Sequence, residues 1–501
     1  MTTLDLATPA GVTVALLPEI VLCAAAVLVL LVISWRHETA ADSRLAGWLS
    51  LIGVLLSGAA QAWLWSSHMA PAGLAQMVAL DTFRFAGNAI ILVSAGVSIL
   101  LSMAYMEREG MLAPEYYALV LMATSGMMFL AGAEDLIVVF LGLEVMSIAV
   151  YVLAGFNRRS IFAAEAALKY FLIGAFASGF LLYGIALVYG ATGNTNLQLI
   201  GAQLAGGPMP LMARLGLALL LIGFAFKIAA VPFHMWAPDV YDGSPTPVAG
   251  LMATGVKAAG FLALTRVLME AFSSAASLWQ PVLGVLAVMT MIVGNLIALS
   301  QRSIKRMLAY SSVAHAGYLL VALWSGTRLG AGSVLLYLLA YGLTTLAAFG
   351  ILASLGHGGE RDVTNEDIAG LGTTRPWAAM GLTICMLSLL GFPGTMGFIG
   401  KWYILQAAVA QRQFILPVVL VLTSVISAGY YLPVIMTMYM KPARVETDEA
   451  GMRRLGRPAA FAVAFTVLAV VLLGIWPAPI FDSAVDSAAS LTERAAPLAR
   501  Q

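Results

Sequence analysis

Four ionisable side chains stand inside long apolar runs: Glu144, Lys227, Lys257 and Lys401. An ionisable group in a bilayer core costs roughly 2.5–3.5 kcal/mol on insertion scales, so it marks a functional site by default. A carboxylate and lysines are the pair of types that proton exchange requires. Burial favours the neutral form of a lysine, and a nearby carboxylate favours its charged form. While Glu144 pairs with Lys227, the pair holds the proton. Once they separate, Lys227 becomes the stronger acid and can pass its proton to a neutral Lys257. Lys401 would serve the same purpose further along the chain. An arginine, which stays charged, could not take this part. The rival reading of Glu144 and Lys227 is a static structural ion pair, which is poor support for stability when buried.

Polar side chains recur near these lysines at helical spacing. Ser311, His315 and Tyr318 form one stripe, and Tyr337, Tyr341 and Thr344 form another. Such stripes could line a file of water. Equally, they could be the modest interhelical hydrogen bonds common in membranes. His315 suits a relay because imidazole exchanges protons near neutrality. His234, seven residues after Lys227, could connect the midplane to the cytoplasm or cap a broken helix. Ser147 and Tyr151 share a face with Glu144 at i+3 and i+7.

The elements that must position these residues follow from composition. Of 501 residues, 61% are hydrophobic and 10% charged, against about 25% charged in soluble domains. The chain is an all-α integral membrane protein, because its apolar runs far exceed the roughly 10-residue alternating segments of a membrane barrel. A net charge of +1 offers nothing to nucleic acid. No Cys/His cluster is present to hold iron–sulfur or zinc, so the sequence predicts neither a metal nor a cofactor site. With roughly 20 apolar residues per span, we count fourteen segments: 12–34, 45–66, 86–105, 115–132, 134–156, 164–191, 211–241, 246–270, 280–299, 304–324, 330–355, 376–411, 414–440 and 458–478.

Two of these are too long. Segments 7 and 12 would measure about 46 and 54 Å as continuous helices, against a hydrocarbon core about 30 Å thick. Each carries a proline near its middle, Pro232 and Pro393, and a lysine near that proline. Interrupted segments at matching places point to inverted repeats around a midplane site. Segments 4–8 would match 9–13, with broken helices 7 and 12. The chain then divides into an N-terminal three-helix region (1–114), a first repeat (115–270), a second (280–440) and a last helix with its tail (441–501).

Lys and Arg in the loops set orientation. Loops after odd-numbered segments hold fifteen, among them Arg36, Arg306, Arg361, Arg444, Arg453 and Arg454; the other side holds seven, including Arg84, Arg266 and Arg500. The richer side should be cytoplasmic and both termini periplasmic. Lys169 could snorkel to the interface. Lys305 and Arg306 need no reading beyond this charge rule. Asp239 and Asp242 are expected in the turn before segment 8. His37, His68 and His357 fall in loops or helix ends, and Glu19 has no partner visible in the sequence.

Three stretches carry a family resemblance. Lys227-Ile-Ala-Ala-Val-Pro-Phe-His-Met-Trp-Ala-Pro-Asp-Val-Tyr-Asp-Gly-Ser-Pro-Thr-Pro-Val248 resembles the subunit N family of bacterial NADH–quinone oxidoreductase, respiratory complex I. Ile304-Lys-Arg-Met-Leu-Ala-Tyr-Ser-Ser-Val-Ala-His-Ala-Gly-Tyr318 resembles the signature shared by all antiporter-like subunits. Gly397-Phe-Ile-Gly-Lys-Trp-Tyr403 resembles the helix-12 motif of subunit N. The resemblance covers roughly residues 115–440. It implies that Glu144, Lys227, Lys257 and Lys401 are the family's glutamate and lysines of helices 5, 7, 8 and 12. It further implies a multi-pass bacterial inner-membrane subunit lying among other complex I membrane subunits, including neighbouring antiporter-like ones. FMN and iron–sulfur clusters would lie in partner subunits.

The leading expectation is therefore a proton-translocating subunit of NADH:quinone oxidoreductase, working through a Glu/Lys midmembrane relay with no redox centre of its own. The alternative is a stand-alone or multi-subunit Na+/H+ antiporter, in which the same lysines would serve. An assembly scaffold would leave the midmembrane charges without a purpose.

Overall fold

The structure is a computed structural model that describes residues 3–6, 8–35, 39–67, 70–72, 76–356, 363–443 and 455–495. Arg36, His37, His68, His357, Arg361, Arg444, Arg453, Arg454 and Arg500 lie outside the described residues. The helices include α1 (Leu17–Ser34), α2 (Ala40–Ser66), α3 (Thr82–Arg108), α4 (Glu115–Ala131), α5 (Leu136–Ala154), α6 (Ile161–Thr192), α7 (Leu211–Lys227) and α8 (Trp236–Gly243). They continue with α9 (Thr246–Ala271), α10 (Ala276–Ala298), α11 (Ile304–Trp324), α12 (Arg328–Leu355), α13 (Pro376–Leu390), α14 (Met396–Ala410), α15 (Ile415–Met440), α16 (Arg457–Ile475) and α17 (Ala478–Ala495). Among the described residues, eleven helices are long and apolar enough to cross a membrane, so the protein is an integral membrane protein built from α-helices. A two-stranded parallel pairing of Thr3–Asp5 with Ala70–Ala72 is a small addition that hydropathy did not foresee.

A central group and an outer ring divide the helices. The apolar window of α9 is 100% buried, and those of α12, α11 and α3 are 94%, 89% and 78% buried; α1, α6, α10, α15 and α16 stay between 28% and 39%. A helix apolar on every side belongs inside, and one that buries a single stripe belongs outside. The outer helix α6 buries Tyr170, Gly174, Ala177, Leu181, Gly184 and Val188 along one face. A Cβ on Gly184 would lie 2.9 Å from the Gly216 carbonyl of α7. Only glycine permits this backbone approach, the small-residue mode of membrane packing.

Side-chain caps start the helices that carry the polar residues. Asp135 accepts from the Ile137 amide at the start of α5, Ser303 from Arg306 at α11, and Thr327 from Gly330 at α12. These short acceptors satisfy amides with no partner within the helix.

Both overlong segments are broken. α7 stops at Lys227, five residues before Pro232, and the chain turns through Ala229 in the left-handed region at φ 58°. The bared backbone is served by neighbours: the Val231 amide donates to Thr290 Oγ1 at 3.0 Å, and Trp236 Nε1 donates to the Phe226 carbonyl at 3.1 Å. Irregular backbone at membrane depth requires such partners. Pro232 itself is exposed, where its missing N–H leaves nothing unpaired. In the second segment glycine makes the stop. Gly391 (φ 91°) ends α13, and Phe392 N donates back to the Leu387 carbonyl at 2.9 Å, a Schellman closure. Pro393 lies just beyond, as a residue that cannot resume the helix.

Candidate functional site: a row of buried lysines

The Glu144 carboxylate, half-buried on α5, accepts a hydrogen bond of 2.5 Å from Ser178 of α6. Lys227 is buried, and its ammonium donates to Ser147 Oγ at 2.9 Å and to the Tyr170 hydroxyl at 3.5 Å. Ser147 is one turn beyond Glu144 on α5, so carboxylate and ammonium address neighbouring turns of one helix without touching. A small cavity lined by Ser147, Tyr151, Ser178 and Lys227 lies at this junction. The Lys227 stem packs over Gly260 of α9, one turn past Lys257, with its Cγ 3.6 Å from where a Cβ would stand.

Lys257 donates to both the carbonyl and the hydroxyl of Ser312, each at 2.5 Å, and its Nζ stands 5.6 Å from the Tyr341 ring centre. It follows a π-helical turn, Met252–Val256. Such turns shift helix register and recur at functional sites. From Tyr341 the rings are continuous: His315 is centred 5.0 Å from Tyr341 and 5.2 Å from Tyr318. The Tyr318 ring lies 4.7 Å below the Lys401 ammonium. His315 is held at both nitrogens, Nδ1 by the Tyr337 hydroxyl at 2.7 Å and Nε2 by the Tyr431 hydroxyl at 3.2 Å. Tyr431 also bonds Ser311. Tyr318 joins Asn295, which accepts from Tyr430 at 2.8 Å. The Tyr341 hydroxyl is buried beside Ser312 and Thr345.

Lys401 donates to the Leu389 and Leu390 carbonyls at 3.0 and 2.9 Å and to Ser424 Oγ at 3.2 Å. Those carbonyls close α13, where a cation offsets the negative end of the helix dipole. Lys227 is the last residue of α7. Both lysines thus sit where the first half-helix ends, although one precedes its proline in sequence and the other follows it.

The structure therefore gathers Lys257, His315, Ser311, Tyr318, Tyr341 and Lys401 into one polar row, with Lys227 against its first member. His234 stands apart in the break between α7 and α8, partly exposed. Sequence reasoning missed Tyr431, Tyr430, Asn295, Ser312, Ser424 and Ser178. Ser312 adjoins Ser311 and stands three residues before His315, so the α11 stripe could have signalled it; the others lie on α6, α10 and α15, which carry no relay candidate, and only the packing of separate helices reveals them.

Several expectations change. Arg84 and Arg266 are not loop charges: Arg84 pairs with Glu19 at 2.7 Å, giving that glutamate its partner, and Arg266 grips Asp81 at 2.8 and 2.9 Å and Glu270 at 2.8 Å. All are buried. Asp239 and Asp242 belong to the short helix α8, not to a turn. Arg306 bonds Asp239 at 2.7 Å, and Lys169 is ion-paired to Asp239 and Glu165 rather than merely reaching for the interface.

Residues 133–427, more than half of the chain, match the family described as NADH:quinone oxidoreductase/Mrp antiporter, TM. The chain is 45% identical over 488 residues to NADH-quinone oxidoreductase subunit N of Gemmatimonas aurantiaca, covering 94% of this chain and 92% of that one. It is 46% identical over 439 residues to the subunit N of Trichlorobacter lovleyi, covering 87% and 89%. A chain of respiratory complex I from Thermus thermophilus with bound aureothin superposes with a TM-score of 0.78 at 35% identity, over 93% of this chain and 98% of that one. A chain of the Mrp complex from Dietzia superposes at 0.82 with 21% identity over 96% and 97%, a likeness of fold. The fold is that of an antiporter-like membrane subunit, and the chain belongs to the subunit N family of NADH–quinone oxidoreductases.

Proposed function

We propose that this chain is a proton-translocating subunit of a bacterial inner-membrane NADH:quinone oxidoreductase, assembled among other membrane subunits of complex I. NADH oxidation, FMN, iron–sulfur clusters and quinone reduction lie in partner subunits. One observation carries the reading: Lys227, Lys257 and Lys401 are buried, yet their bonding partners are hydroxyls and backbone carbonyls rather than carboxylates. An ammonium held by neutral groups in an apolar interior is free to give up its proton, because no ion pair is broken when it does.

The arrangement corresponds to the separated state of the Glu144–Lys227 switch. Quinone chemistry elsewhere shifts the local field. Glu144 leaves or joins Lys227, and Lys227 passes a proton to Lys257. His315, between its tyrosines, takes it on towards Lys401, and His234 serves the cytoplasmic side of the break. We further read the chain as crossing the membrane fourteen times, with inverted repeats at 115–270 and 280–440, both termini periplasmic, and α7–α8 and α13–α14 as the broken spans. The two lysines at the two half-helix ends support that repeat.

Lys227→Ala tests the proposal in native membranes. The variant is expected to co-purify with flavin and active NADH-oxidising subunits while proton pumping falls about tenfold or more, the scale of a lost acid–base group. Normal pumping by an assembled variant overturns it. Sodium-driven proton flux without NADH would instead favour the antiporter reading.

A further inference from the structure

We propose that Asp239 is a positioning residue for the proton hand-over between Lys227 and Lys257, acting through the half-helix α8. This rests on the relay reading above. α8 is only eight residues long and has too few internal hydrogen bonds to hold its own place. Its position is set from outside, on two sides.

Its buried side is bound to the lysine sites. Trp236 stacks on Tyr170 with ring centres 4.4 Å apart and an 8° tilt, and Tyr170 is a hydroxyl partner of Lys227. Trp236 Nε1 also donates to the carbonyl of Phe226, the residue before Lys227. Tyr241, on the same short helix, lies buried beside Ser312 and Tyr341, the groups that surround Lys257. The rings of Trp236 and Tyr241 meet edge to face at 6.2 Å. A shift of α8 therefore moves the surroundings of both lysines together.

Its partly exposed side is bound by charge. Asp239 accepts from Lys169 of α6 at 2.9 Å through one oxygen and from Arg306 of α11 at 2.7 Å through the other. Lys169 immediately precedes Tyr170. Arg306 stands six residues before Ser312 on α11. Each arm of the clamp thus fixes the helix that carries a lysine's partner. Asp242 adds a weaker tie, 3.6 Å to Arg306, and accepts from Ser303 at 3.1 Å; Lys305 holds the Asp242 and Ser244 carbonyls. Asp239 is the residue that spans both helices, and a carboxylate with two oxygens is suited to two cations. The clamp is about one-third exposed, so it is reversible in a way that the buried arginine pairs are not.

The test uses the whole complex in native membrane vesicles with Asp239→Asn, Asp239→Glu and Lys227→Ala. Asp239→Asn is expected to assemble with normal flavin content, to lose at least about threefold in coupled NADH:quinone turnover through misplacement of the lysine partners, and to raise deuterium uptake in the peptide spanning 229–243. Asp239→Glu should recover at least half of the turnover and the protection. Lys227→Ala should lose turnover with 229–243 still protected. Full turnover in assembled Asp239→Asn, or lost turnover with unchanged uptake, overturns the clamp. Full turnover in Lys227→Ala overturns the relay reading instead. Should Asp239→Asn fail to assemble, Lys169→Gln removes one arm only, and the same loss with the same raised uptake is required of it.

Discussion

Two regions of this molecule bury cations, and they do so in opposite ways. Near the start of α3 and the end of α9, Arg84 and Arg266 are paired with carboxylates: Glu19 for one, Asp81 and Glu270 for the other. Along the central helices, Lys227, Lys257 and Lys401 are equally buried but meet only hydroxyls, carbonyls and aromatic faces. The residue types match the partners. Arginine cannot be deprotonated, so buried it must be paired. Lysine can be neutral, so it can stand where no anion is fixed beside it. The first region ties helices together; the second can change its charge.

The sharpest way to break this contrast is to remove a paired cation. Arg266→Leu leaves Asp81 and Glu270 buried without the guanidinium between them. Losing one partner of a buried pair costs about 3–5 kcal/mol. The variant is expected to fail to accumulate in the membrane, read as loss of tagged subunit and of co-purifying flavin. A normally assembled, normally pumping Arg266→Leu would show that the pairing does not hold these helices.

A second substitution asks whether charge or proton exchange matters in the lysine row. Lys257→Arg keeps the positive charge beside Ser312 and Tyr341 but fixes the proton. It should assemble yet pump about tenfold less than the parent, because a group that cannot release its proton cannot act as an acid–base relay. If Lys257→Arg pumps normally while Lys257→Ala does not, the row works as fixed charge, and the contrast with the arginines collapses.

How much of this was legible in the chain depends on whether a signal was local. Lys227, Lys257 and Lys401 stand out from their own apolar surroundings, as does Glu144, so hydropathy alone singles them out. The two breaks were legible from length and from Pro232 and Pro393, although Gly391 makes the second stop and α7 ends well before its proline. Pairings across helices were not legible. Glu19 had no visible partner because Arg84 is 65 positions away. Arg84 and Arg266 looked like loop charges because helix ends and loops read alike in a hydropathy window. Tyr431 and Ser178 reach the row only through packing, from helices whose other faces point outward.

The smallest expected effect tests the quietest contact in the row, the 2.5 Å hydrogen bond from Ser178 to Glu144. It is the one polar side-chain partner of that carboxylate among the described residues, and it draws Glu144 towards α6, while Lys227 faces Ser147. Removing the hydroxyl takes away a hydrogen bond to a charged acceptor, worth about 1.5–3 kcal/mol when made, and part of that returns as solvation because Glu144 is only half-buried. Glu144 would then favour Lys227, and the pair would hold its proton longer. Ser178→Ala is expected to slow coupled turnover about twofold to threefold with pumping per electron unchanged, and Ser178→Thr to restore it. A faster Ser178→Ala would mean that separation of Glu144 from Lys227 limits nothing, and that the hydroxyl restrains the switch rather than holding it open.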